Sequence, residues 1–333
     1  MRILITGGAG FMGSNFIHYL LEKYPDYQIV NLDKLTYAGN LENLKDIEGN
    51  PNYTFIKGDI AIKEDVKKAL GTGMDVIVNY AAETHVDRSI MDPEAFIKTD
   101  VLGTYELLEA VKNGQAQKMI QISTDEVFGE IKEGEFFEDS PFLPNSPYSA
   151  SKAGGDLMCR AYFRTYKTPV IVTHNCNFYG PYQYPEKIIS LFITNLLEGK
   201  KVPMYGNGKN VREWIFTQDH CRAIDVILHK GEVGEVYNIG TGERQENIEI
   251  AETLLDILGM GKEKLEYVKD RPGHDWRYAI NSDRLRKELG WKPEYKLEEG
   301  LKETVKWYKN NKEWWQKLKS GEYLDYYKRQ YGK

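Results

Sequence analysis

Arg2 to Ile5 is a short apolar run that leads into a glycine cluster. From Phe11 to Leu21 apolar positions recur at helical spacing, and a second apolar run follows at Gln28 to Leu32. The order is strand, turn, helix, strand. Tyr53 to Ile56, Val76 to Val78, Met119 to Ile122 and Val170 to Thr173 read as further strands, with helical patterns over Pro93 to Val111 and Tyr148 to Tyr166 between them. This alternation predicts an α/β fold, a doubly wound parallel sheet with helices on both faces. Beyond about residue 175 the rhythm loosens around Pro181, Pro185, Pro203, the turn Gly206-Asn207-Gly208 and the segment Asp270 to His274. Residues 1–175 are expected to form one domain. Residues 176–333 are expected to form a smaller, partly interleaved C-terminal lobe, with segments of about 210–245 returning to the first domain. From Leu297 to Tyr331, Trp307, Trp314 and Trp315 stand among lysines at helical spacing, the pattern of a packed terminal helix.

Composition narrows the class. The chain has 333 residues, 41% hydrophobic, with a net charge of −6, so it can bury a sizeable core and lacks the basic surface a nucleic-acid partner requires. No run approaches the ~20 apolar residues of a membrane span, and a cytoplasmic location is expected. Cys159, Cys176 and Cys221 are widely spaced with no Cys-x-x-Cys pair, which argues against a disulfide framework. The histidines show none of the short spacing of zinc sites, so no metal is expected.

Gly7-Gly8-Ala9-Gly10-Phe11-Met12-Gly13 follows the first strand and opens the first helix. Gly7 and Gly10 permit a tight turn in which backbone N–H groups approach a pyrophosphate, while Gly13 lets helix and strand pack closely. Asp33, ending the second strand, offers a carboxylate to an adenosine ribose and repels a ribose phosphate, so NAD is expected rather than NADP. Asp59-Ile60 and Ala81-Ala82 fall at strand C-terminal ends, where a Rossmann-type sheet binds its ligand.

Tyr148 and Lys152 are one helical turn apart on one face, a spacing from which an ammonium is expected to lower the phenol pKa and make Tyr148 a base. Ser123-Thr124, at the end of the fifth strand, adds the hydroxyl of a Ser/Thr, Tyr, Lys arrangement. Thr124-Asp125-Glu126 then places two carboxylates beside that hydroxyl. Oxidising a sugar carbon to a ketone acidifies the neighbouring C–H bond. One carboxylate can take that proton while the other, protonated, releases the adjacent hydroxyl as water.

The segments GGAGFMGSNF, DKLTYAGNLENL, NYAAETHVDRS, STDEVFG, SPYSASK, NFYGPYQYPEK, YGNGKNVREW and DRPGHDWRYAI resemble the dTDP-glucose 4,6-dehydratases of the extended short-chain dehydrogenase/reductase family, over about residues 1–310. STDEVFG is the specific part, since the related epimerases carry small neutral residues at the positions of Asp125 and Glu126. The resemblance implies conversion of dTDP-glucose to a 4-keto-6-deoxy sugar nucleotide for deoxysugar biosynthesis. In that scheme Tyr148 removes the 4-hydroxyl proton, Thr124 orients the oxygen and Lys152 holds Tyr148 and the nicotinamide ribose. Glu126 takes the carbon 5 proton, and Asp125 donates to the departing carbon 6 hydroxyl.

It further implies cofactor contacts at Phe11, Met12, Lys34, Thr36, Asp59, Ile60, Ala81, Ala82 and Thr99. Substrate contacts are implied at Thr84, His85, Asn177, Lys187, Ile188, Pro203, Tyr205, Arg212, Asn247, Arg271 and His274. It implies a homodimer formed through the Pro93 to Val111 and Tyr148 to Tyr166 helices. The chain departs from the family pattern at Asp100, where asparagine is usual, at His174, where arginine is frequent, and at Phe178, which replaces a common asparagine. A UDP-sugar 4-epimerase or decarboxylase, and a silent NAD-sensing scaffold, are the alternatives. The first leaves Asp125 and Glu126 without a role, and the second does not need Tyr148 and Lys152.

Overall fold

The computed structural model describes residues 1–270 and 273–320, together with Tyr323 and Tyr327. The strands are β1 (Arg2–Thr6), β2 (Gln28–Asp33), β3 (Tyr53–Lys57), β4 (Met74–Asn79), β5 (Ala116–Thr124), β6 (Val170–Asn175), β7 (Asn177–Tyr179), β8 (Val202–Tyr205), β9 (Val211–Phe216), β10 (Val236–Ile239), β11 (Arg244–Glu246) and β12 (Leu265–Val268). Seven of them form one all-parallel sheet in the order β3-β2-β1-β4-β5-β6-β10. The strand order reverses between β1 and β4, and this is where a Rossmann sheet opens its crevice.

The central strands are mostly apolar because both faces are covered, and buried polar residues such as Asn79 and Gln121 bond to each other at 2.8 Å. Ile3 and Ile5 of β1 pack with Phe16, Val78 and Ile120 on one side, while Leu4 packs with Leu32, Ile77 and Met119 on the other. A third core, built from Phe192, Val202, Trp214, Leu254, Leu301 and Trp315, lies among the later elements. There β11, β9 and β7 form one small sheet, and β12 and β8 form another. The Thr217–Lys230 helix lies against the first helix, where its buried Asp225 accepts bonds from Tyr19 at 2.9 Å and Lys23 at 2.7 Å. Trp315 is fully buried, and Trp307 and Trp314 meet edge-on at 5.0 Å, so the aromatic stripe serves as packing. The stretch from 324 to 331 lies outside the described residues, apart from Tyr327.

One predicted element differs. The Pro93 to Val111 pattern is not a uniform helix: Pro93–Phe96 leads into a wider π-helical turn, Ile97–Gly103, and then into Thr104–Lys112. The wider turn carries Thr99 to the cleft and buries Asp100, which is 2% exposed. All three cysteines are buried and unbridged.

Candidate active site

A single cleft at the C-terminal ends of the central strands brings together the glycine loop, Asp33, Thr124, Asp125, Glu126, Tyr148 and Lys152. Gly7 takes φ +67°, and a Cβ there would lie 2.7 Å from the Ala81 amide nitrogen, so the loop tolerates only glycine at this point. A Cβ on Gly13 would collide with the Gly7 carbonyl. The Phe11–Lys23 helix starts at Gly10 with no side-chain cap and no acidic residue in its first turn. Its positive end is left for an anion, and Phe11, Met12 and Gly13 line the cleft there.

Asp33 accepts the Ala9 amide at 2.9 Å on one oxygen and the Leu35 amide at 2.8 Å on the other, which ties the glycine loop to the end of β2. Burial pushes its carboxyl up, against the pull of those two amides. Lys34 reaches Asp59 at 2.7 Å. Thr36, Asp59, Ile60, Ala81, Ala82 and Thr99 also face this cleft.

Thr124 ends β5, and its hydroxyl accepts the Glu126 amide at 3.2 Å, capping the short turn Asp125–Phe128 that carries both carboxylates. Asp125 is 1% exposed. One of its oxygens accepts from Thr124 at 3.3 Å and the other, Oδ2, is buried with no partner among the described residues. Burial first, then Glu126 and Glu213, hold its carboxyl well above the usual range, which favours the protonated acid. Tyr148 and Lys152 sit in the first turns of the Pro147–Tyr166 helix, which is fixed by a capping box between Ser146 and Ser149.

The expected effect of Lys152 on Tyr148 is not what the chain's own charges produce. The Lys152 ammonium donates to the Ile122 carbonyl at 2.8 Å. Burial, with Glu126 and Asp100 next, pushes the Tyr148 phenol well above its ordinary value, and a bond with Thr124 pulls the other way.

Among the expected substrate residues, Thr84, Asn177, Lys187 and Ile188 line the cleft, and the Lys187 ammonium donates to the Thr84 carbonyl. His85, Pro203, Tyr205, Arg212, Asn247 and His274 do not line it. His85 precedes the Val86–Met91 helix and is buried. Pro203 and Tyr205 belong to β8, Tyr205 reaching Asp87 at 3.4 Å. The His274 ring lies edge-on to Tyr205 at 6.0 Å and bonds Asp270 at 2.7 Å. Asn247 begins the Asn247–Leu258 helix, its amide bonded to the Asn210 carbonyl. Arg212 is 5% exposed and donates to the Asp275 carbonyl at 2.9 Å, because β9 turns it inward onto the ring of Tyr278. Arg271 lies outside the described residues.

The family departures fall in different places. Phe178 lines the cleft. His174 is buried within the sheet, 3.3 Å from both Asp156 and Asn238. Glu186, in the cleft wall, was not among the expected site residues. It accepts from Tyr37 at 2.9 Å and from Arg88 at 3.3 Å. Tyr278, 3.4 Å from Glu126, also escaped notice, because no spacing links residues so distant in the chain.

The profile of the family described as GDP-mannose 4,6 dehydratase matches residues 4–304. A dTDP-glucose 4,6-dehydratase from Streptomyces niveus is 48% identical over 324 residues, covering 96% of each chain. The chain belongs to the dTDP-glucose 4,6-dehydratase family. A solved dTDP-glucose 4,6-dehydratase from Bacillus anthracis, in complex with NAD, superposes with a TM-score of 0.90 at 52% identity over 96% of this chain and 99% of that one. A UDP-glucuronic acid 4-epimerase from Bacillus cereus also superposes, with a TM-score of 0.86, but is only 29% identical over 93% of this chain and 99% of its own. Family membership therefore agrees with the paired carboxylates of the Asp125 turn, and the epimerases stand further off.

Proposed function

We propose that the protein removes water from dTDP-glucose to give dTDP-4-keto-6-deoxyglucose, an NAD-dependent hydro-lyase step in deoxysugar biosynthesis. The observation that carries this reading is the Asp125–Glu126 pair: one carboxyl buried, with burial and its neighbours favouring the acid form, beside a second, in the same cleft as the glycine loop. An epimerase has no use for an acid and a base at this point.

The uncapped helix start at Gly10, with Gly7 and Gly13, fits a dinucleotide pyrophosphate, and Asp33 and Lys34 fit its adenosine end. Held there, NAD would supply the hydride acceptor for carbon 4 of the sugar and the hydride donor for carbon 6, with no net redox change. The remaining steps belong to the chain. Tyr148 exchanges the proton of the 4-hydroxyl, with Thr124 orienting that oxygen and Lys152 beneath it. Once carbon 4 is a ketone, the carbon 5 proton is acidic and Glu126 takes it, while Asp125 gives its proton to the hydroxyl leaving carbon 6. Glu126 then gives its proton back to carbon 5, while the proton that Asp125 lost in the departing water is replaced by the one Tyr148 took from the 4-hydroxyl, so both carboxyls end as they began. Thr84, Asn177, Lys187 and Ile188 form the substrate side of the cleft, and Lys187 supplies a cation for a diphosphate. The segment around Tyr205 and His274 is assigned to the nucleotide.

The same reading extends to assembly and location. Ile97, Leu102 and Leu157 are exposed at 58%, 43% and 54%, on the two long helical segments expected to pair in a homodimer. Three buried, unbridged cysteines support a cytoplasmic location. Among the described residues no helix is long and apolar enough to cross a membrane.

The testing variant is Glu126→Gln, which keeps the shape of the side chain and removes the base. Carbon 4 oxidation should proceed and enzyme-bound NADH should accumulate without loss of water. Turnover at the native rate would remove Glu126 from its role.

A further inference from the structure

Tyr278 lies between two carboxylates. Its hydroxyl is 2.6 Å from Asp275 Oδ2 and 3.4 Å from Glu126 Oε2. A phenol has one hydrogen to give, and the shorter distance is that of a charge-assisted bond, so the hydrogen belongs to Asp275 and an oxygen lone pair is left facing Glu126. The arrangement is held from behind. The Arg212 guanidinium lies 4.1 Å from the centre of the Tyr278 ring and donates to the Asp275 carbonyl at 2.9 Å, while Asn145 donates to Asp275 Oδ1 at 2.7 Å. Asn210 adds a bond to the same carbonyl at 3.2 Å. Tyr278, Asp275 and Arg212 are all at least nine-tenths buried. Arg212 thus braces the Tyr278 ring and the Asp275 backbone together.

We propose that Tyr278 is a positioning residue for Glu126, presenting an acceptor that favours Glu126 in the protonated form it reaches when it takes the carbon 5 proton. This inference rests on the reading of Glu126 as the base. In the step concerned, the C5–H bond breaks and its electron pair forms the C5–C6 double bond. The C6–O bond breaks as its oxygen takes the Asp125 proton, and the carbon 5 proton passes to Glu126. The new Glu126 O–H then donates to the Tyr278 oxygen, whose own hydrogen stays on Asp275. No proton leaves the Tyr278 phenol, in keeping with the way burial and the neighbouring Glu126 push it well above its ordinary value.

The test is Tyr278→Phe, which keeps the ring against Arg212, with Glu126→Gln run alongside. The phenylalanine variant should form bound NADH at the native rate with an unchanged KM. Its kcat should fall roughly tenfold, NADH should build up during turnover, and exchange of the carbon 5 hydrogen with deuterated solvent should slow to the same extent. A native kcat without NADH build-up overturns the proposal. So does an equal loss in every step accompanied by a lowered unfolding midpoint, which is the mark of a purely structural residue. If Tyr278→Phe fails to fold, Asp275→Asn leaves the phenol in place but loosens its hydrogen. It should show the same selective slowing in weaker form, and the absence of selectivity counts against the proposal. Glu126→Gln separates the two ideas. Native turnover by that variant overturns the base assignment itself, whereas NADH accumulation there with native behaviour of Tyr278→Phe overturns only the positioning role.

Discussion

Asp100 accepts the Ser151 hydroxyl at 2.6 Å inside the protein, and burial pushes its carboxyl up to about 7, with Lys152 and Ser151 pulling it back. The same group titrates near 3.8 when unburied. Between those values the native state holds a proton that the unfolded chain has released, so stability falls as the pH rises. The contribution is complete below the lower value and is lost through the upper one. Asp100→Asn keeps the acceptor for Ser151 and removes the titration. The variant should unfold at a higher temperature than the native protein at about pH 8, and the two should converge near pH 4, as thermal scans across pH would show. Equal midpoints at every pH would mean that Asp100 carries no such proton. The asparagine-to-aspartate departure was legible in the sequence, but its burial was not, because burial depends on the π-helical turn and on a serine fifty-one residues away.

At the scale of elements, the parallel strands were legible because strands covered on both faces are largely apolar, and β1 to β6 each contain the predicted run and extend it by one to five residues. The π-helical turn was not, since one extra residue in a helical turn leaves the apolar stripe nearly unbroken. The glycine loop was legible for a steric reason that the structure makes quantitative. Gly13→Ala forces a methyl group against the Gly7 carbonyl, which no side-chain motion relieves. It should cost about 1–3 kcal/mol in denaturant unfolding and release NAD from the purified protein. Full stability with full NAD retention would contradict the close packing described. Ser146→Ala removes the capping box of the helix that carries Tyr148 and Lys152. A loss of ~1 kcal/mol is expected in the same assay, with the slope in denaturant unchanged. The substrate residues were the weakest part of the sequence reading. Arg212 carries the right charge, but charge does not reveal which way a strand turns it.

At the scale of the whole molecule, the two cores of the parallel sheet and the third core beyond it fix the cleft from both sides, while three apolar side chains on the long helical segments remain exposed. In the proposed homodimer a second copy of the chain covers them. Leu157→Asp should turn a dimer into a monomer in sedimentation, and a native protein that sediments as a monomer would remove this part of the account. The central claim is chemical, and one measurement tests it most directly. Purified protein with NAD is incubated separately with dTDP-glucose, UDP-glucose, CDP-glucose and GDP-mannose, and the product masses are followed. The account predicts loss of one water from dTDP-glucose, with a ketone absorbance in alkali. An unchanged mass, with galactose released on hydrolysis, would contradict it and leave Asp125 and Glu126 as a structural pair.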